Sequence, residues 1–300
     1  MFISSLSPKG GASTQLVEEP RKESWWTTLH EGLVNEVASI DANASAAPGV
    51  VFYGDSIYEF QRGTQGGSAL ATLASSRQAF EDAYGGLDGL ILAISGDQVG
   101  HLLWRLSNGE MLTKRAPRAI VVAIGTNDLG WARRQALRPE GAEAGAATAS
   151  AERQAALFSA AAKNVVVGVR EVVKRLHAAY PSASIVIQAL LPRADRLADG
   201  DAAPTQPSAF TPYLDGINVG LKAVAGSIPN ARFADCNAVF FVEGGELNLT
   251  RLPDGLHPSE EGIRAMHACL KPIVAKAHDE APAGGKVVDW RKKKGRRGGN

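Results

Sequence analysis

Short unbroken runs of apolar residues alternate along this chain with stretches where apolar positions recur every three or four residues. Val50-Val51-Phe52-Tyr53 is the first run and stops abruptly at Gly54-Asp55-Ser56. Leu87 to Ile94, weakened at its start by Asp88 and Gly89, stops at Ser95-Gly96-Asp97. Ala119 to Ile124 stops at Gly125-Thr126-Asn127-Asp128. Ser184 to Leu191 is a fourth run, and Ala231 to Ala234 a weaker fifth. Runs this short and this uniformly apolar read as parallel strands buried on both faces. Helical spacing fills the intervals. Trp25, Trp26, Leu29, Leu33, Val34 and Val37 mark a helix over Glu23 to Ser39, which Asp41 to Pro48 breaks. Val99, Leu102, Leu103 and Leu106 mark a second; Val165, Val166, Val169, Val172, Val173 and Leu176 mark a long third over Ala151 to Ala179; Glu260 to Ala277 is the last. Strands alternating with helices predict an α/β domain, its parallel sheet covered on both sides.

Three segments stand outside this alternation. Residues 1–22 mix Ser, Gly, Pro and charge without period and read as irregular. Arg133 to Ser150, rich in Ala, Gly and Glu, and Arg193 to Pro212, with three prolines, read as insertions beyond the carboxyl ends of strands, the edge where α/β sheets take their ligands. The expected organisation is therefore an irregular segment 1–22, one domain over 23–279 and a basic, flexible tail over 280–300. No internal repeat is evident.

Composition narrows the class. With 300 residues, 45% hydrophobic and 21% charged, the chain can bury a full core without metal or disulfide support. No apolar run approaches a membrane span. Cys236 and Cys269 are too few for a disulfide framework and lack zinc-site spacing, and Met1 to Ser13 lacks the basic n-region of a secretory signal. A reduced, cytoplasmic protein is expected, with an organelle address in the first 22 residues left open. The net charge of +1 is uneven: Lys286 to Asn300 holds seven Lys/Arg against one Asp, so the remaining 285 residues carry −5. A mildly acidic body argues against nucleic-acid binding on the fold itself. The run Arg291 to Arg297 reads first as a solvated end, with an acidic partner, RNA or a nuclear address as the alternatives.

The strand ends carry the chemistry. A parallel sheet puts all its carboxyl ends on one edge, so Ser56, Gly96 and Asn127 are expected in one crevice. Asp254-Gly255-Leu256-His257-Pro258 precedes the last helix and can fold back to the same edge. Each cluster alone is an ordinary capping turn. Together they supply a hydroxyl nucleophile, a base, a group to orient that base, and donors for a developing oxyanion. Neither HExxH nor CxxC occurs, His177, His267 and His278 show no metal spacing, and Gly63 to Gly67 lacks the ending of a phosphate loop. His101 reads as an exposed or packing residue ahead of one lining the site, Trp104 and Arg105 as stacking or capping residues with substrate contact as the alternative, and Asp55 as part of its turn.

These four blocks resemble those of the SGNH, or GDSL-type, hydrolases, with Ser56 in Gly54-Asp55-Ser56-Ile57, Gly96 in Ile94-Ser95-Gly96-Asp97, Asn127 in Gly125-Thr126-Asn127-Asp128, and His257 in Asp254-Gly255-Leu256-His257. Leu103-Trp104-Arg105-Leu106, Asn108-Gly109-Glu110 and Leu190-Leu191-Pro192-Arg193 resemble the branch of catalytic subunits of intracellular platelet-activating-factor acetylhydrolase and its bacterial relatives. The likeness covers about residues 24–277. It implies a three-layer α/β/α sandwich with a five-stranded parallel, flavodoxin-like sheet, and hydrolysis of acetyl or short- to medium-chain lipid esters through an acyl-enzyme, with no cofactor or metal. Ser56, Asp254 and His257 would be catalytic, and Ser56, Gly96 and Asn127 would form the oxyanion hole. It also implies a small-molecule or lipid ester as partner, and a homodimer. The 40 residues from Ser56 to Gly96, the addition at Arg133 to Ser150 and the absence of an Asn in Leu92-Ala93-Ile94 depart from the family pattern. Substrate choice therefore does not transfer. A carbohydrate esterase or O-acyltransferase with the same machinery is the second reading; a low-activity scaffold is the third.

Overall fold

The computed structural model describes residues 16–43, 48–137, 151–194 and 208–291. Five strands form its main sheet: β1 (Val50–Gly54), β4 (Gly89–Ala93), β5 (Ala119–Ala123), β6 (Ser184–Gln188) and β7 (Ala231–Ala234). They lie in the order β4-β1-β5-β6-β7, all parallel. A two-residue-per-strand hairpin, β2 (Thr64–Gln65) with β3 (Ser68–Ala69), stands apart from it. The helices are α1 (Ser24–Ala42), the single turn α2 (Ser56–Glu59), α3 (Ala74–Tyr84), α4 (Val99–Ser107), α5 (Thr126–Ala136), α6 (Ala151–Ala179), α7 (Thr211–Gly226) and α8 (Glu260–Glu280). This is the expected three-layer α/β/α sandwich.

Strand alternation divides the core. Val51 and Tyr53 of β1, with Leu92, Ile120, Val122, Ile185 and Ile187, face α1, α4, α6 and α7 through Trp26, Leu33, Leu102, Val169, Val172 and Leu221. Val50 and Phe52, with Ile91, Val121 and Val186, face α3 and α8 through Phe80, Tyr84, Leu270 and Val274. Every residue of β1, β5 and β6 is buried, which is why the sequence shows unbroken apolar runs rather than alternation. The register aligns Gly54 with Ala93 on one side and Ala123 on the other, so the loops after β4, β1 and β5 leave the sheet at one level.

The structure differs from the expectation at several places. The second run begins as a strand only at Gly89, because Gly85–Leu87 forms a 3-10 turn and Asp88 takes a left-handed φ of 48°. The fourth ends at Gln188 rather than Leu191. Arg133 belongs to α5, not to an insertion; residues 138–150 lie outside the described residues, as do 195–207 of the second insertion. Helix α7 was not foreseen: Leu214, Ile217, Leu221 and Val224 are its buried face, but Pro212, Gly216 and Gly220 obscure the period. Proline in the first turn is compatible with a helix start. Residues 281–291 are seated on the body, with Val288 N donating to Ala179 O (2.8 Å) and Arg291 to Ser107 O (2.8 Å); 292–300 lie outside the described residues. Cys236 and Cys269, expected as separate reduced thiols, are bonded to each other, joining the loop after β7 to α8. Folding brings their Cα atoms to 5.9 Å, which a separation of 33 residues does not foretell. Among the described residues no helix is long and apolar enough to cross a membrane.

Candidate active site

Ser56 opens α2 immediately beyond β1. The chain turns sharply there because Asp55 caps the helix, its Oδ1 accepting from Ile57 N (3.1 Å). Gly54 is needed just before, since a side chain would meet Ala123 O at 2.9 Å. Asp55 is buried, and burial pushes its carboxyl up to about 6, with the backbone bond from Ile57 and the charges of His257 and Arg193 opposing.

Ser56 Oγ lies 3.0 Å from Nε2 of His257, and Nδ1 of the same ring lies 2.6 Å from Oδ2 of Asp254. The other Asp254 oxygen accepts from the backbone N–H groups of Leu256 (2.9 Å) and His257 (2.7 Å). Burial raises the Asp254 carboxyl, but the His257 ring and these amides outweigh it and bring it down to about 2. An ionised carboxylate only accepts, so Nδ1 carries the ring hydrogen and Nε2 is left to accept from the Ser56 hydroxyl. The Phe60 ring lies 4.8 Å from the imidazole, centroid to centroid. The His257 loop is tied to the loop after β6 by Ala194 N donating to Gly255 O (2.8 Å).

Gly96 and Asn127 stand at the ends of the two strands flanking β1. Gly96 has a φ of 81°, and a Cβ there would meet Arg21 Nη1 at 2.5 Å. Asn127, in the first turn of α5, gives one amide hydrogen to Asp97 O (3.0 Å), which leaves the second to point elsewhere. Arg193 braces that turn: its Nη1 donates to Thr126 O (2.8 Å) while the guanidinium lies on the Phe210 ring. Burial, with Arg134 and Arg133 nearby, lowers the Arg193 guanidinium to about 10.

A buried ionic network supports the loop after β4. Asp97 accepts from Trp26 Nε1 (2.6 Å) and from Arg105 Nη1 (2.9 Å), and Arg105 continues to Glu110 through Nε (2.8 Å) and Nη2. His30 Nδ1 meets the same carboxylate at 2.7 Å, and Tyr53 donates to Glu110 O. Burial opposes charge on Glu110, but Arg105 outweighs it and holds the carboxyl below its ordinary range. Of the two roles open to Arg105, these contacts are structural, and Trp104 packs its ring against Trp26 and His30. His101 caps α4, its Nδ1 accepting from Gln98 N (3.0 Å). Sequence reasoning missed two polar residues beside the site. Glu59 is a buried acidic residue, and the signal was its place one helical turn after Ser56. Arg21 gave no signal at all.

A cavity of about 10 Å³ sits beside the turn that carries Ser56, walled by Asp55, Ile57, Thr126, Leu190 and Leu191 among others. The much larger groove of about 1180 Å³ runs along β7 and α7 and includes none of Ser56, Gly96, Asn127, Asp254 or His257. Among the described residues no three His, Cys, Asp or Glu side chains are grouped to hold a metal ion.

A family model of GDSL-like lipases and acylhydrolases matches residues 52–265, a span that holds all five of those residues. The chain belongs to that family. Its members are acyl-ester hydrolases, and in that general sense so is this protein. Platelet-activating factor acetylhydrolase IB subunit alpha1 of Rattus norvegicus is 24% identical over 263 residues, covering 86% of this chain and 88% of the relative. Subunit alpha2 of Gallus gallus is 23% identical over 257 residues, covering 86% of each. A crystal structure of a GDSL-like lipase from Bacteroides thetaiotaomicron shares the fold, with a TM-score of 0.53 at 17% identity, covering 83% of this chain and 98% of that one.

Proposed function

We propose that this GDSL-family member is a serine esterase that cleaves short acyl esters, acetyl foremost, through an acyl-enzyme. The observation that carries the reading is the continuous chain of contacts from Asp254 through His257 to Ser56, at 2.6 and 3.0 Å. Ser56 Oγ attacks the acyl carbon while its proton passes to His257 Nε2, and Asp254 holds the imidazole in the accepting tautomer and stabilises its cation. The oxyanion accepts from the backbone N–H groups of Ser56 and Gly96 and from the second amide hydrogen of Asn127. The protonated imidazole gives its proton to the departing alcohol. Water then attacks the acyl-enzyme with His257 as base, and the acid leaves. Every proton in this cycle moves between residues of the chain, substrate and water.

The platelet-activating factor acetylhydrolase subunits that this chain resembles support acetyl as the acyl group. A fluorophosphonate probe should label the wild type and not Ser56→Ala. Across p-nitrophenyl esters of increasing acyl length, kcat/KM should be highest for acetate. Folded wild type that neither labels nor hydrolyses any ester defeats the reading; a maximum at long chains defeats the acyl preference. Turnover confined to acetylated sugars would replace the small-ester substrate with a carbohydrate one.

A further inference from the structure

Ser95 stands between β4 and Gly96, and both of its peptide groups are gripped by charged side chains. Its N–H is donated to Oε2 of Glu59 at 2.6 Å, and its carbonyl accepts from Nη1 of Arg21 at 3.0 Å. Glu59 sits in the same helical turn as Ser56, and its other oxygen accepts from Gly67 N (2.8 Å) and Thr64 Oγ1 (3.2 Å), so the carboxylate is fixed by the β2–β3 hairpin. Arg21 arrives from the segment ahead of α1. Its Nη2 is paired with Glu23 at 2.5 Å, and its guanidinium lies 5.0 Å from the centre of the Trp25 ring.

The peptide joining Ser95 to Gly96 is planar and trans, so its C=O and N–H point in opposite directions. Holding the Ser95 carbonyl on Arg21 therefore aims the Gly96 N–H the other way, away from Arg21. Glycine makes that restraint necessary. At a φ of 81° it tolerates backbone orientations closed to other residues, and a flipped peptide would turn a carbonyl oxygen toward the developing negative charge.

We propose that Arg21 is a positioning residue for ester hydrolysis: with Glu59 opposite, it locks the Ser95–Gly96 peptide so that the Gly96 N–H faces the oxyanion. This rests on the reading of Gly96 as an oxyanion donor. The grip acts in the transition state, where the oxyanion exists, and leaves ground-state binding nearly untouched.

The test uses the full chain with p-nitrophenyl acetate, counting active sites by fluorophosphonate titration so that kcat refers only to competent enzyme. Losing an oxyanion donor outright costs on the order of 10²–10³ in turnover, so misaiming one that is still present should cost about 10-fold. Arg21→Ala should show that loss in kcat with KM unchanged, and Glu59→Gln should show the same split. Arg21→Lys should recover much of it, because an ammonium can still donate to the Ser95 carbonyl. Guanidinium ion, added well below its denaturing range, should raise kcat of Arg21→Ala and not of wild type. Wild-type kcat per titrated site in Arg21→Ala overturns the proposal, as does a loss carried wholly by KM or by the titrated fraction. Wild type that does not label points instead to failure of the esterase reading, which no loosening of this peptide produces.

Discussion

Replacing Asp254 by asparagine separates two roles that are usually lumped together. The carboxyl is brought from its ordinary 3.8 to about 2, which at 1.36 kcal/mol per pH unit is about 2 kcal/mol of interaction with its donors. With 55% of the side chain exposed, solvent screening reduces this to about 1 kcal/mol. Were all of that kept in the transition state, the charge would be worth at most about five-fold in rate. Tautomer control is worth far more. Leu256 and His257 donate their backbone N–H groups to Oδ1, so an asparagine at 254 keeps its oxygen there and turns its NH2 toward Nδ1. That forces Nδ1 to accept and Nε2 to carry the hydrogen facing Ser56, and the wrong tautomer costs on the order of 10⁴. Alanine removes the charge without imposing a tautomer, since water can reach this exposed position. The order of kcat on p-nitrophenyl acetate should be wild type, then Asp254→Ala, then Asp254→Asn, the last slower than the alanine variant by about 10-fold or more. An asparagine variant as fast as the alanine variant, or within five-fold of wild type, refutes the argument.

Other outcomes follow from the same geometry. Asn127→Ala should lower kcat on the order of 10²–10³ with little change in KM; an effect confined to KM removes the side chain from the oxyanion. Asp55, raised to about 6 in the folded chain, keeps a proton that the unfolded chain releases near its ordinary 3.8. Its contribution to stability is therefore full below pH 4 and is lost as pH rises through 6. Urea denaturation should show a flatter decline between pH 4 and 7 for Asp55→Asn, which keeps the capping oxygen, and equal slopes would contradict the assignment. Replacing both Cys236 and Cys269 by serine should lower stability by about 2–4 kcal/mol for a loop of this length. Unchanged thermal melting of the double variant would show that the cross-link does not restrain the unfolded chain.

The sheet was legible because its three inner strands are buried on both sides: Val50 to Tyr53 and Ala119 to Ile124 have no polar position at which to lose the pattern. Convergence of Ser56, Gly96 and Asn127 on one edge follows from parallel topology alone. Asp254 and His257 required more, since nothing in a loop's composition says where it folds; there the family likeness carried the expectation. What stayed hidden depends on partners remote in sequence. Helix α7 was masked by Pro212 and its glycines. Arg21 and Glu59 matter only because folding brings them to Ser95, and an arginine ahead of a tryptophan-rich helix gives no hint of that. The Cys236–Cys269 bond is of the same kind, created by the packing of α8 beneath the loop after β7.

Arg175 of α6 binds Glu18 with both terminal nitrogens and lies under the ring of Trp290. Stretches on either side of the family-matched span thus meet on one side chain. The same span leaves out Trp26 and His30, which complete the bonding of Asp97 and Glu110. A fragment cut to residues 52–265 would strand buried carboxylates without two of their donors and strip the brace from the loop that carries Gly96. The span of the family model is therefore smaller than the unit that folds, in keeping with relatives that align over 86% of this chain, and a fragment meant to fold has to keep flanks on both sides of it.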